Sequence, residues 1–143
     1  DIPGREGMAM CAMMGAIAFQ KGLGAAHSLA HPLSTLAGLH HGLANAIVLP
    51  YVVAFNQSEP TAAAAYALVE RRLGLPEGQS LLSWMVDLRA SLGIPHTLTA
   101  AGVSRDLLEA LSDQAIADGC HGSNPRVCSR DDLRALYIAA FEG

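Results

Sequence analysis

The sequence is poor in charge. Charged residues make up 15% of its 143 positions, against about 25% in an ordinary soluble domain, while the mean hydropathy is +0.29. So apolar a chain of this length leaves part of its surface short of polar cover. We expect that part to pack against another domain or subunit. Basic excess is absent too: 9 Lys and Arg against 13 Asp and Glu give a formal net charge of -4, with no basic stripe for nucleic acid. The apolar stretches Met8 to Phe19 and Leu43 to Phe55 are shorter than the roughly 18 to 20 residues of a membrane span. They read as buried helices, and no membrane association is expected. A charged segment leading into an apolar one, as in a secretory signal, is missing. Cys11, Cys120 and Cys128 are an odd number without a CxxC pair, so a reducing, cytoplasmic setting is expected. Cys120, His121 and Cys128 match no standard zinc spacing.

What the sequence has in quantity is alanine (25) and leucine (20), which together far outnumber valine, isoleucine and threonine (17). Unbranched side chains lose little rotamer freedom in a helix, so the chain is expected to be an all-α helical bundle without significant sheet, one domain over 1–143. The first helix is expected from about Arg5 to Gln20. It is apolar on nearly every face, like the central helix of a bundle, with Met8, Met10, Met13 and Met14 as core filling. Gly22 and Gly24 break it. A second helix carries AAHSLAH and should bend or stop at Pro32. HGLANAIVLPYVVAFN reads as a long buried helix kinked at Pro50. Further helices are expected from Glu59 to Leu73, ending at Gly74, and from Ser80 to Leu92, with Trp84 in the core. LGIPHTLTAAGV is a loop, Ser104 caps a helix to about Asp118, and GCHGSNPRVC is irregular. A last helix starts on the Ser129/Asp132 capping pair and ends near Phe141.

Four of the six histidines, His27, His31, His40 and His41, fall within fifteen residues. His27 and His31 are four apart, on one helix face a turn from each other. His41 opens the next helix, after a break that can fold it back. Two or three neutral imidazoles brought together in this way suit a divalent metal. The same spacing also suits hydrogen-bonded core histidines, and the residues alone leave both readings open. His96 and His121 have no close histidine neighbour and read as surface or loop residues.

The segment GLGAAHSLAHPLSTLAGLHHGLANAIVLP, Gly22 to Pro50, resembles the signature of the iron-containing alcohol dehydrogenases, a GxxHxxAHPLG segment followed by a second HG that opens a helix. The likeness extends to the N-terminal run (MxxAxxxAGxAF), to LGIPHTLTAAGV (GIPxxLxxxGV) and to DGCHGSNPR (DxCxxxNPR), covering about Arg5 to Phe141. Ser34 and His40 depart from the usual glycine and proline. The resemblance implies the C-terminal helical domain of the dehydroquinate synthase-like fold, with the N-terminal nucleotide-binding domain lying upstream, outside this chain. It also implies a divalent metal, iron or zinc, held by one aspartate and three histidines. His27 and His41 match two of these ligands, and the other two lie upstream. His31 matches a histidine beside substrate and nicotinamide, an orienting or proton-relaying catalytic group. Phe19 and Cys120 fall where the family lines its substrate pocket, with plain packing as the alternative for each. Arg126 is expected to hydrogen-bond backbone at a loop corner.

The function implied is oxidation of an alcohol or reduction of an aldehyde by hydride transfer with NAD or NADP bound in the missing domain, the metal polarising the alcohol oxygen. Alone, the chain would be inactive. Homo-oligomerisation is compatible with its sticky surface. The competing expectations are a free-standing helical metal-binding module and a purely structural helical domain.

Overall fold

A computed structural model describes residues 1–143. It holds seven α-helices and no strand: α1 Ile2–Ala18, α2 Gly24–Ala37, α3 His41–Asn56, α4 Pro60–Leu73, α5 Leu81–Ser91, α6 Leu108–Ala117 and α7 Arg130–Glu142. Short 3-10 turns precede α2 (Phe19–Lys21) and α6 (Arg105–Leu107) and follow α6 (Gly119–Ser123). The helix starts follow from local chemistry. Ser80 Oγ accepts from the Ser83 amide to cap α5, Ser104 Oγ accepts from the Asp106 amide, and Ser129 with Asp132 forms a reciprocal capping box on α7, each satisfying amides that have no partner in the first turn. α4 ends as expected at Gly74, in the left-handed region with φ 65.

α2 lies centrally, packed on α3, α6, α7 and the turn 119–123. Leu29 and Leu33 from α2, Ile47 from α3, Leu111 from α6, and Leu133 and Tyr137 from α7 have no solvent exposure. Their burial provides the main driving force for this arrangement, about 1.5–3 kcal/mol for each large aliphatic side chain.

Two expectations are corrected, and one left open between two outcomes is narrowed. α1 is not a central helix: none of its residues is buried. Met8, Met10, Met13 and Met14 are 51–70% exposed and fill no core. The turn at Phe19–Lys21 and Gly22, which adopts φ 100, sets α1 at 108° to α2 and carries it off the body. Trp84 is half-buried rather than in the core; it lines a shallow cleft with Ala46, Leu49 and Leu88. Of the bend or stop expected at Pro32, the stop does not occur: α2 continues to Ala37 and ends at the left-handed Gly38.

The reason for the last point lies in the partners of the backbone. A proline inside a helix lacks a donor and forces open the turn before it. Tyr137 Oη donates to the Leu29 carbonyl, three residues before Pro32, at 2.7 Å. The same arrangement recurs in α3, where the buried Arg89 donates through Nη1 to the Ile47 carbonyl, three residues before Pro50, at 3.3 Å. Side chains from α7 and α5 thus reach carbonyls in the turns that precede Pro32 and Pro50, and both helices run on. No single helix is long and apolar enough to cross a membrane.

Candidate active site

Helix α2 carries His27 and His31, and His41 opens α3 after the turn at Gly38. The three rings converge: the centroid separations are 5.2 Å for His27–His41, 5.4 Å for His31–His41 and 5.7 Å for His27–His31. Two imidazoles bound to one tetrahedral ion at about 2.1 Å would have centroids about 5 Å apart. The fourth histidine of the run, His40, is turned away, its ring lying over Gly42, where an added Cβ would meet Cε1 at 3.3 Å.

The spacing of the donor set fits a divalent cation. Burial, followed by the neighbouring His41 and His31, lowers the pKa of His27 below the usual histidine value, against a smaller opposing hydrogen bond to the Leu23 carbonyl. The shift favours the neutral imidazole, the form in which a histidine binds a metal. Asn45 Nδ2 lies 3.1 Å from His41 Nε2 and donates to the His41 carbonyl at 3.1 Å, tying the ring to its own helix turn.

His31 is held differently. Its Nδ1 lies 2.7 Å from Asp118 Oδ2. Asp118 Oδ1 accepts from the Cys120 amide at 2.8 Å and from Ser28 Oγ at 3.2 Å. Burial by itself would raise the Asp118 pKa, but the hydrogen bonds from His31, Cys120 and Ser28 outweigh it and bring it down to about 2. The Cys120 thiol is pushed up to about 11 by burial and by the Asp118 carboxylate. His31, Asp118 and Cys120 offer ligand atoms within 4.8 Å of one another, close enough to hold a metal ion, and both Asp118 carboxylate oxygens are engaged in hydrogen bonds. Among themselves the groups are linked by hydrogen bonds, His31 to Oδ2 and the Cys120 amide to Oδ1 of Asp118.

Phe19 stands at the edge of the cluster, 58% exposed, its ring 6.5 Å from that of His27 and perpendicular to it. Cys120 is half-buried beneath Asp118. His96 is exposed, its Nδ1 3.3 Å from Arg89 Nη2. His121 is half-buried in the turn 119–123, with Nε2 3.1 Å from the Ile116 carbonyl. Neither joins the cluster. Asp118 went unrecognised in the sequence as more than a helix end. It lies 87 residues from His31, and the only hint was its place as the first residue of the DGCHGSNPR segment.

That segment also sets the position of α2. Ser123 Oγ accepts from the Gly24 amide at 3.1 Å and Asn124 Oδ1 from the Ala25 amide at 3.3 Å, so a distant loop caps the helix that bears His27. Asn124 exchanges two amide hydrogen bonds with Asn56 of α3, at 2.7 and 3.1 Å. Arg126 donates to the Phe55 carbonyl at 3.0 Å, as expected for a loop corner, and stacks on the Phe55 ring. One loop therefore ties together the starts and ends of the helices that frame the histidines.

Residues 1–141 match the profile of the C-terminal domain of the Fe-containing alcohol dehydrogenase family. The chain belongs to the iron-containing alcohol dehydrogenase family. It is 40% identical over 143 residues to a 4-hydroxybutyrate dehydrogenase from Cupriavidus necator and 31% identical over 154 residues to an NADPH-dependent butanol dehydrogenase from Clostridium saccharobutylicum. These alignments cover 95% and 100% of the chain but only 37% and 39% of the relatives. Among solved structures, a 1,3-propanediol oxidoreductase superposes with a TM-score of 0.73 at 28% identity, over 83% of this chain and 33% of that one. The iron-containing alcohol dehydrogenase of Thermococcus thioreducens gives the same score and identity over 85% and 32%. The all-helical expectation agrees with the fold of these C-terminal domains.

Proposed function

We propose that this chain is the metal-binding half of an NAD(P)-dependent dehydrogenase acting on a small alcohol or the corresponding aldehyde. The observation that carries the reading is the convergence of His27, His31 and His41 in a member of the iron-containing family. Their spacing admits any two of the three rings as ligands; the family resemblance assigns His27 and His41 to the metal and His31 to proton transfer. When bound, the divalent metal, iron or zinc, would supply Lewis-acid polarisation of the alcohol oxygen.

The remaining chemistry falls to side chains. In the oxidative direction the nicotinamide, held outside this chain, would accept the hydride and its electron pair from the carbinol carbon, while His31 would take the hydroxyl proton as the carbonyl forms. Phe19, beside His27, and the half-buried Cys120, beside His31 and Asp118, would border the alcohol. Two histidines do not complete a metal site, and the nicotinamide needs a nucleotide-binding half from the rest of the polypeptide. The exposed apolar surface of α1 is the natural place for that half to pack.

The test is made on the whole dehydrogenase. His27→Ala and His41→Ala should each lose most bound metal by elemental analysis and, with it, turnover. His31→Ala should keep the metal and lose turnover by about 10²-fold or more. Full turnover by the 143-residue chain alone with NAD and simple alcohols would refute the two-part arrangement.

A further inference from the structure

We infer that Asp118 is a positioning residue that selects the tautomer of His31, holding the proton on Nδ1 and leaving Nε2, on the far side of the ring, as an unprotonated acceptor. The argument is one of donors and acceptors. An ionised carboxylate can only accept. Asp118 Oδ2 lies 2.7 Å from His31 Nδ1, so in the neutral imidazole the proton must sit on Nδ1. The carboxylate cannot rotate to offer something else, because Oδ1 is fixed by the Cys120 amide at 2.8 Å and by Ser28 Oγ at 3.2 Å. Ser28 is itself fixed, accepting from the His121 amide at 2.8 Å. Ser28 and His31 stand one turn apart on α2, so a single helix face and the turn after α6 clamp Asp118 from both sides.

This arrangement has a sharp consequence for one substitution. In Asp118→Asn the side chain keeps its shape, but the Cys120 amide is a fixed donor and demands the amide oxygen on its side. The NH2 group must then face His31 Nδ1. Nδ1 becomes the acceptor, the proton moves to Nε2, and the base is lost without any loss of packing. The consequence for catalysis rests on the proposed role of His31; the tautomer assignment does not.

The two are tested separately. In histidine-15N-labelled protein at about pH 8, where an ordinary imidazole is neutral, long-range 1H–15N correlation should show His31 protonated on Nδ1. In Asp118→Asn it should be protonated on Nε2. Ser28→Ala, which leaves the Cys120 amide in place, should retain the wild-type tautomer. A wild-type His31 protonated mainly on Nε2 would overturn the inference, and that spectrum decides it even if Asp118→Asn does not fold. In the whole dehydrogenase Asp118→Asn should lower kcat by about 10²-fold or more with metal content retained and KM changed little. If the tautomers are as stated and His31→Ala nonetheless turns over normally, the catalytic role of His31 falls and the positioning by Asp118 stands.

Discussion

Asp118 shows how much chemistry a single residue can concentrate. Its carboxyl is held well below the usual range, at about 2, by His31, Cys120 and Ser28 against the opposing effect of burial. A carboxyl whose pKa is lowered on folding adds stability above its unfolded value near 4, and that addition disappears as pH falls from about 4 to about 2. Melting temperatures measured across this window should therefore fall more steeply with acid for the wild type than for Asp118→Asn. Equal slopes would mean that the carboxyl is not perturbed. Gly22 is the other residue on which local geometry depends. Its φ of 100 disfavours any side chain, and a Cβ there would run into Ser123, the residue that caps α2. Gly22→Ala should destabilise the protein by about 1–3 kcal/mol in urea denaturation.

At the scale of elements, the two proline-containing helices depend on side chains from elsewhere in the fold. Tyr137, fully buried, with its hydroxyl pushed upward in pKa by burial, spends its one proton on the Leu29 carbonyl. Tyr137→Phe keeps the ring and removes that bond to the Leu29 carbonyl, one turn before Pro32. The expected cost is about 1–3 kcal/mol by chemical denaturation, and an unchanged midpoint would show that α2 passes Pro32 without help. Asn124 is the corresponding joint between loop and helix. Asn124→Ala removes its bond to the start of α2 and its paired amide contact with Asn56, and should cost about 2 kcal/mol or more. Because α2 carries His27 and His31, the same variant should broaden the histidine ring signals.

The helix boundaries and caps were largely legible in the sequence. Gly74, Ser80, Ser104 and the Ser129/Asp132 pair act within three or four residues of their own position, so spacing alone revealed them. At Pro32 the sequence left a bend and a stop both open, because the Tyr137 hydroxyl that meets the Leu29 carbonyl comes from the far end of the chain. Of the site, the His27/His31/His41 grouping was visible from helical period and a short break, whereas Asp118 reaches His31 across 87 residues and left no periodic trace.

For the whole molecule, the decisive feature is α1. Seventeen residues with no buried side chain give this chain an apolar helix whose cover does not come from the chain itself. Isolated, the 143-residue chain should self-associate with rising concentration in sedimentation velocity. Met10→Glu with Met13→Lys should suppress this while changing stability by no more than about 0.5 kcal/mol, since both side chains are exposed. Self-association that persists unchanged in this variant would locate the sticky surface elsewhere.

By itself the sequence determined the helical class, most helix ends and the approach of three histidines, because each follows from contacts within a turn or two of the chain. Only the tertiary structure decided that α1 stands off the core, that α2 survives Pro32, and that His31 is paired with Asp118. Those outcomes depend on which distant groups meet, and helical periodicity carries no information about partners from another helix. The same apolar run reads identically whether its cover is this chain or another surface, and the same histidine reads identically with or without a carboxylate behind it.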